Sequence, residues 1–517
     1  MDFATLHAST GEAESNLVMT AAEERKLVRK IDLHLIPLMS ILYLLQYLDK
    51  TSLGYTAIMG IIEDAKLVGT QYSWVSSFFY VGFLAASPLA SILLVKFPVA
   101  KVVVVSVLIW ASIQMCMAGG NDFGSLAALR VLLGAFEAAV NPGLTIITST
   151  WYKPSEHALR HGLWYGGASV AYIFGGILAY AISHIHSVVK NWQLLFIIFG
   201  AATFLWGLLL LWLLPNNPQT AWFLNERERK LAFARVQGAR HSAETRKWNH
   251  GQMMEALMDP RSWLFFLLCI FTTLPGGGLT AVCYYSMIRC IFYLSNPART
   301  FNQPTANQTI LKFGSIILKS FGYSVLQTQL LTMSQGAFLL FYVAFTVIVS
   351  ITFKNARCVS IALLNIISLA GALMIKLLPE SHNLSRLGGL WLISAYASAF
   401  PTILSLVSSN ITGHTKKATV NGMLFVGFCI GYIVGPLTFL PREAPTYQTA
   451  FNIMIACFVL NVAIIMIMRQ LMARWNKRRD QRFGAEASLS GQAIEDNAAQ
   501  IDLDETDWEN KSIRYFL

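Results

Sequence analysis

Apolar residues in this chain gather into runs of about twenty, the length an α-helix needs to cross a ~30 Å hydrocarbon core. Twelve such runs stand at roughly 35–58, 73–94, 101–119, 124–148, 161–183, 192–214, 263–281, 333–353, 357–378, 388–408, 419–440 and 449–468. Short polar segments separate them, and the longest, at 215–262, divides the runs into six plus six. The pattern predicts an all-α, polytopic membrane protein of twelve transmembrane helices in two six-helix bundles. Its parts are a tail at 1–34, a first bundle at 35–214, a central loop at 215–262, a second bundle at 263–468 and a tail at 469–517. The central loop opens with Pro215 and Pro218 and continues NERERKLAFARVQGAR, a charged helix read equally as lying on the membrane surface or as a solvated linker.

Composition narrows the class. Hydrophobic residues make up 55% and charged ones 13%, where a soluble domain carries about 25% charged residues. Too few charges are present to cover the surface of soluble domains, which sets aside soluble enzymes and disordered scaffolds. The net charge of +11 does not point to nucleic acid, because Lys and Arg cluster between the runs. Of the 39, 28 fall on the side of the two chain ends, so the positive-inside rule places both ends in the cytoplasm. The N-terminal stretch, with Glu12, Glu14, Glu23 and Glu24, is no secretory signal, which leaves the first span as the membrane signal. The second tail begins basic (Arg474, Lys477, Arg478, Arg479, Arg482), suiting anionic lipid, and ends polar and acidic, which predicts mobility. Seven scattered cysteines without a CxxC pair suggest neither disulfides nor a metal site. HExxH, GxxxxGK[ST], GxSxG and a strand-linked GxGxxG are all missing, so neither enzyme chemistry nor a cofactor is expected.

The sharpest signals are ionisable residues inside the runs. Asp49 and Lys50 sit in LLQYLDKTSLG of span 1, and Arg130 and Glu137 in LAALRVLLGAFEAAVNPG of span 4. Each costs about 2.5–3.5 kcal/mol at a helix centre, so water, pairing or a ligand must offset them. Arg130 and Glu137 are two turns apart on one face, while Asp49 and Lys50 diverge by about 100°, one toward a cavity and one toward a neighbour. Two structural ion pairs would explain all four. The functional alternative is a cationic anion site, Lys50 and Arg130, with Asp49 and Glu137 exchanging protons beside it. Opposite charge favours an ionised carboxylate and burial its neutral form, so an arriving anion can change its protonation. In that reading Glu137 holds Arg130 while the site is empty.

Glycines echo between the halves: Gly166, Gly167, Gly175 and Gly176 in span 5, and Gly427, Gly431 and Gly435 before Pro436 in span 11. Small residues at such spacing let helices approach closely, in corresponding places of a duplicated transporter. Pro142 and Gly143 after Asn141 are expected to interrupt span 4, and Gly276, Gly277 and Gly278 after Pro275 to loosen span 7. Tyr43, Tyr47 and Tyr396 suit either packing or a cavity wall.

Several long segments in order carry a family resemblance: YLDKTSLG, LRVLLGAFEAAVNPG, WY with Glu156 and Arg160, LPNNPQTAWFLNERER, FGSIILKSFGYSVLQTQLL, SNITGHTKKATVNGMLFVGFCIGYIVGP and TDWENKSIRYFL. From Asp32 onward the chain resembles the fungal anion:cation symporters of the major facilitator superfamily, the allantoate-permease-like group. The resemblance implies two pseudo-symmetric bundles and alternating-access uptake of small organic anions such as allantoate, ureidosuccinate, nicotinate, pantothenate or biotin. It places the span 1 acidic–basic pair on Asp49 and Lys50 and the span 4 pair on Arg130 and Glu137. Lys50 departs from the usual Arg, replacing a bidentate fork by a point charge. LLVKFPVAK also lacks the superfamily's common Gly-Asp-Arg pattern. A second departure is an insert at about 281–312, AVCYYSMIRCIFYLSNPARTFNQPTANQTILK, where relatives run almost directly from GGLT to FGSII. It reads either as a retained intron in the gene model or as a loop insertion.

Sequons at Asn307 and Asn383 fall on the outer side and are candidate glycosylation sites, whereas Asn410 faces inward. The expectation is a monomeric, proton-coupled symporter of a small organic anion in the plasma membrane. An exporter of a secondary metabolite and a non-transporting nutrient sensor are the alternatives.

Overall fold

The computed structural model describes residues 19–68, 71–185, 187–240, 248–295, 325–353, 355–378, 383–438, 448–487, 504–510 and 513–517. Eleven helices are long and apolar enough to cross a membrane, and the bent pair His250–Met258 and Pro260–Gly277 supplies a twelfth crossing. That 66° bend sits at Asp259, which is extended because the following Pro260 disfavours helix there. The chain is an all-α polytopic membrane protein.

Helix ends differ from the expected bounds for identifiable reasons. Span 1 runs Ala21–Ile58, starting well before residue 35. Thr20 and Glu23 close a capping box, and Leu27, Ile31 and Leu35 bury one stripe at four-residue spacing. The part of the predicted first tail from Ala21 onward is therefore helix. Span 12 runs Gln448–Ala487, carrying the basic run past the predicted end at 468. The described closing residues of the second tail, 504–510 and 513–517, are packed against the protein rather than extended into solvent. Thr506, Asp507 and Tyr515 are buried against the second bundle, since three cations there (Arg261, Lys416 and Arg479) receive them. The central loop carries the helix Glu226–Arg240. It docks on the first bundle through Lys30–Glu228 at 2.6 Å and Arg235–Glu156 at 2.7 Å.

The halves repeat one packing plan. Span 1 packs on spans 5 (His157–Ser183) and 6 (Asn191–Leu213), span 2 (Gln71–Lys96) on span 4, and span 3 (Val99–Cys116) on span 6. Correspondingly, span 7 (Pro260–Ser295) packs on spans 11 (His414–Leu437) and 12, span 8 (Val325–Thr352) on span 10, and span 9 (Arg357–Leu377) on span 12. The bundles meet along spans 5 and 8 and along spans 2 and 11. Both ends of the described chain lie on one face, with the central loop.

Spans 4 and 10 are broken alike. Span 4 is Phe123–Glu137 followed by Val140–Trp151, and span 10 is Asn383–Ile393, a 3-10 stretch Ser394–Ser398, then Ala399–Asn410. In both, a proline is the third residue of the second helix, Pro142 and Pro401. Each removes the N–H that would bond four residues back, to Ala138 or Ala397, and the break falls there. The expected interruption of span 4 is thus present, just before Asn141. Span 7 is not loosened by its glycines and stays helical through them. Gly277 serves close approach instead, since a Cβ there would stand 2.9 Å from Tyr432 Cα. Helix continues to Ser295, so the first half of the atypical insert extends span 7; its remainder, with Asn307, lies outside the described residues.

Helices approach closely at Gly82 and Gly134 between spans 2 and 4, and also at Gly167, where a Cβ would stand 2.4 Å from the Ser40 carbonyl oxygen, and at its counterpart Gly427, 2.7 Å from that of Phe266. A Cβ on the adjacent Gly166 would meet only Leu340, at 3.9 Å. Gly167→Ala is therefore expected to cost roughly 1–3 kcal/mol by pushing span 5 off span 1. Gly166→Ala is expected to be neutral or slightly stabilising, by up to about 1 kcal/mol. Thermal unfolding of the two purified variants checks the contrast.

Candidate functional site

The four intramembrane charges meet in one region at the seam between the bundles. Glu137 closes the first helix of span 4 at 0% exposure; its Oε1 accepts from Lys50 Nζ at 2.8 Å and from Gln46 Nε2 at 2.7 Å. Gln46 lies one turn before Lys50, so both reach Glu137 from one face of span 1. Asp49, rotated away, points toward span 6, where Thr203 Oγ1 donates to its Oδ2 at 3.4 Å. Adjacent residues thus serve different neighbours, as their angular separation predicts.

Arg130 corrects one expectation: Glu137 holds Lys50, not Arg130. Seven residues are about 10.5 Å along a helix, and both side chains lean the same way, so the lean does not close that gap. Arg130 is 2% exposed, and its Nε and Nη2 have no hydrogen-bond partner. Within its electrostatic reach lie Tyr72, Asp49, Tyr80 and Glu137. Asp49 Oδ1 and Glu137 Oε2 are likewise unpartnered.

Aromatic rings from both bundles enclose these charges. Lys50 Nζ stands 5.7 Å from the rings of Tyr47 and Phe79 and 5.8 Å from Phe428 of span 11, within cation–π range. Tyr80 of span 2 stacks on Tyr432 of span 11 at 4.7 Å, and Tyr432 has Tyr47, Tyr172 and Tyr396 as further neighbours. These tyrosines and Lys50 are only partly buried, so they line a chamber rather than fill a core. Of the three tyrosines singled out by sequence, Tyr47 and Tyr396 face this chamber, while Tyr43 is buried against Trp164 and Tyr165. Gln46, Tyr80, Phe428 and Tyr432 were not anticipated. Gln46 had a readable signal, a lone amide one turn from Lys50 in an apolar run.

Beside the chamber the bundles carry matching buried polar joints. In the first, Thr203 reaches Asp49 and Gln114 of span 3 donates to Ser52 of span 1 at 3.2 Å. In the second, Asn461 of span 12 donates to Thr272 of span 7 at 3.2 Å and to Asn365 of span 9 at 3.1 Å. Spans 1, 3 and 6 correspond to 7, 9 and 12, but only the first joint holds a charge.

The face bearing the chain ends is shut. His157 Nδ1 meets Ser409 Oγ at 3.0 Å and Ser408 Oγ at 3.1 Å, while Arg357 donates to Ser409 Oγ and to the Pro154 carbonyl, each at 2.8 Å. Deeper in, Tyr165 of span 5 donates at 3.1 Å to the Ala397 carbonyl, the one that Pro401 deprives of its donor four residues on. Asn410 is buried, its amide engaged with the Phe516 backbone; Asn383 opens span 10 at its other end.

Twelve helices in two repeated bundles, with charges gathered at the seam, define a secondary transporter. The chain matches the Major Facilitator Superfamily over residues 39–436 and belongs to it. It is similar to an uncharacterised transporter of Schizosaccharomyces pombe, 33% identical and covering 96% of this chain and 90% of that one. It is also 32% identical to the allantoate permease of Saccharomyces cerevisiae, over 98% of this chain and 89% of the permease. In fold it resembles the E. coli fucose:proton symporter FucP, with a TM-score of 0.58 at 17% identity over 84% of this chain and 98% of that one. The chain is an allantoate-permease-like member of the superfamily and not an enzyme.

Because Glu137 is buried, removing its cation should be costly. Lys50→Met is expected to destabilise the protein by about 3–5 kcal/mol. Adding Glu137→Gln to that variant should recover most of the loss. Thermal unfolding of the single and double variants measures the coupling.

Proposed function

We propose that this transporter takes up a small organic anion together with a proton across the plasma membrane, by alternating access, with both chain ends in the cytoplasm. One observation carries the anion: a fully buried Arg130 whose Nε and Nη2 meet no acceptor. Arginine does not discharge, and an unmet buried charge is costly, so a ligand carboxylate is the natural complement. Such a ligand would accept paired charge-assisted bonds from Arg130, with Lys50 assisting. The likeness to an allantoate permease supports an organic anion as cargo.

Charge balance then supports the coupling. Arg130 and Lys50 offset Asp49 and Glu137 in the empty chamber. A monoanion adds one negative charge, and one proton restores neutrality, which a low-dielectric bundle favours. In this reading the anion competes with Glu137 for Lys50, and the freed carboxylate takes the proton. Asp49, beside the Thr203 hydroxyl, is the second proton-exchanging group. The neutral counterpart joint of Asn461, Asn365 and Thr272 supports a proton path confined to the first bundle.

Uptake of radiolabelled organic anions should rise as external pH falls and collapse with a protonophore. Arg130→Lys should weaken substrate affinity by roughly ten- to a hundredfold through loss of the fork. Arg130→Gln should abolish transport at normal surface expression, and Lys50→Arg should be tolerated. Glu137→Gln should keep substrate exchange but lose pH-driven accumulation. Wild-type affinity in Arg130→Gln would make the arginine a structural charge, and full accumulation in both Glu137→Gln and Asp49→Asn would move the proton site elsewhere.

A further inference from the structure

The closing residues of the chain occupy a site built for them. Asp507 is buried between Arg261 and Lys416, whose Nζ is 2.8 Å from its Oδ1, and the Tyr515 hydroxyl donates to its other oxygen at 2.9 Å. Two asparagines read the peptide backbone as amide pairs. Asn476 accepts from Tyr515 N and donates to Tyr515 O, both at 2.8 Å; Asn410 accepts from Phe516 N at 2.7 Å and donates to Phe516 O at 2.9 Å. Side-chain amides paired with both polar groups of a peptide unit fix register without regard to side chain, while the buried acid and the aromatic rings supply identity. The groups come from spans 7, 10, 11 and 12, so the site exists only when the second bundle is assembled.

Its far end touches the seal. Arg357 N–H donates to Leu517 O at 3.0 Å, and its guanidinium lies 4.9 Å from the Phe516 ring. That guanidinium is the one bonded across to Pro154 of the first bundle, so Phe516 holds it against the carbonyl it seals.

We propose that the second bundle carries a peptide site for an acidic, aromatic segment, filled by the chain's own residues 504–510 and 513–517, and that its occupancy holds the end-bearing face shut through Arg357. The segment is a latch, which must shift before the transporter opens to that side. Burial pushes the Asp507 carboxyl up, but Arg261 and Lys416 outweigh it and hold it down at about 2. The contribution of this carboxylate is therefore complete above the ordinary range near pH 4 and fades only as pH falls through about 2. Asp259 and Glu255 share these two cations, and Arg261, Lys416 and the Tyr515 hydroxyl still hold Asp507 ionised, so across physiological pH release needs a competing group, not protonation of Asp507.

The inference rests on alternating access but not on the identity of the cargo, so its test needs no substrate. Ser405 is buried one turn below Ser409, and a cysteine there would report opening of this face. In the full-length protein freed of its seven native cysteines, Ser405→Cys would be labelled by an impermeant maleimide from the side of the chain ends. Asp507→Asn is expected to weaken docking on the order of tenfold, because it removes the charge-assisted bonds to Arg261 and Lys416 while Asp259 and Glu255 still pair with those cations, and to speed labelling several-fold. Arg357→Ala should speed it similarly, with no further gain in the double variant. As a variant that keeps Asp507, the two asparagines and Arg357, Asp480→Cys with Arg514→Cys, which exchanges an ion pair at 2.6 Å for two thiols, should slow labelling of the Ser405 position when joined by a short cleavable crosslinker and recover on cleavage. Unchanged labelling in Asp507→Asn and in the crosslinked protein would reduce the segment to a structural strap. Additive effects of Asp507→Asn and Arg357→Ala would overturn the route through Arg357.

Discussion

A charge inside a membrane bundle must be met by another group, and here that requirement fixes how spans 1 and 4 face each other. Lys50 reaches Glu137 across the gap, and Gln46, one turn away, holds the same carboxylate oxygen. With both on one face of span 1, Asp49 has to turn toward span 6, where Thr203 meets it. The break after Glu137 interrupts the helical hydrogen bonding of span 4. Arg130, two turns earlier, is left at the seam without an acceptor for two of its nitrogens.

Duplication explains much of the rest. Each bundle has a broken helix with proline at the third place of its second half, a close glycine approach, and a buried polar joint among three corresponding helices. Within that joint the halves differ by an ionisable group: Asp49 sits in the first, and asparagine and threonine fill the second. A neutral joint keeps its hydrogen bonds whatever the local proton supply, whereas a carboxyl can exchange a proton. One bundle is thus equipped to respond to protons, and the other supplies rings such as Phe428 and Tyr432 across the chamber.

The fold was legible because its signal is long and local: twenty apolar residues declare a span wherever they pack. Pro142 announced the break in span 4, and the divergence of Asp49 from Lys50 follows from helix geometry alone. Pairing across helices was less legible. Spacing put Glu137 on the face of Arg130, but reach along the helix decided against that pair, and the partner came from span 1. Glycines 276–278 read as a weak point because sequence does not show the Tyr432 backbone pressed against Gly277. The closing segment read as mobile because its partners, Arg261, Asn410, Lys416 and Asn476, lie dozens to hundreds of residues away and form a site only after folding.

The kind of bond used at each place separates what is rigid from what moves. Arg160–Asp32, Arg235–Glu156 and Lys50–Glu137 tie the first bundle to itself and its docked helix; Lys416–Glu255 and Arg261–Asp507 do the same in the second. Across the seam, His157 meets Ser408 and Ser409, Tyr165 meets a helix carbonyl, and Tyr80 stacks on Tyr432. Breaking a buried ion pair costs several kcal/mol, while exchanging a neutral hydrogen bond for water costs about 1 kcal/mol. Bundles held by the first kind of contact and joined by the second would rock as units. Arg357 is a charged group on the shut side of that seam: it meets neutral carbonyl oxygens across it and the Ser409 hydroxyl beside it, and the closing residues of the chain sit over it.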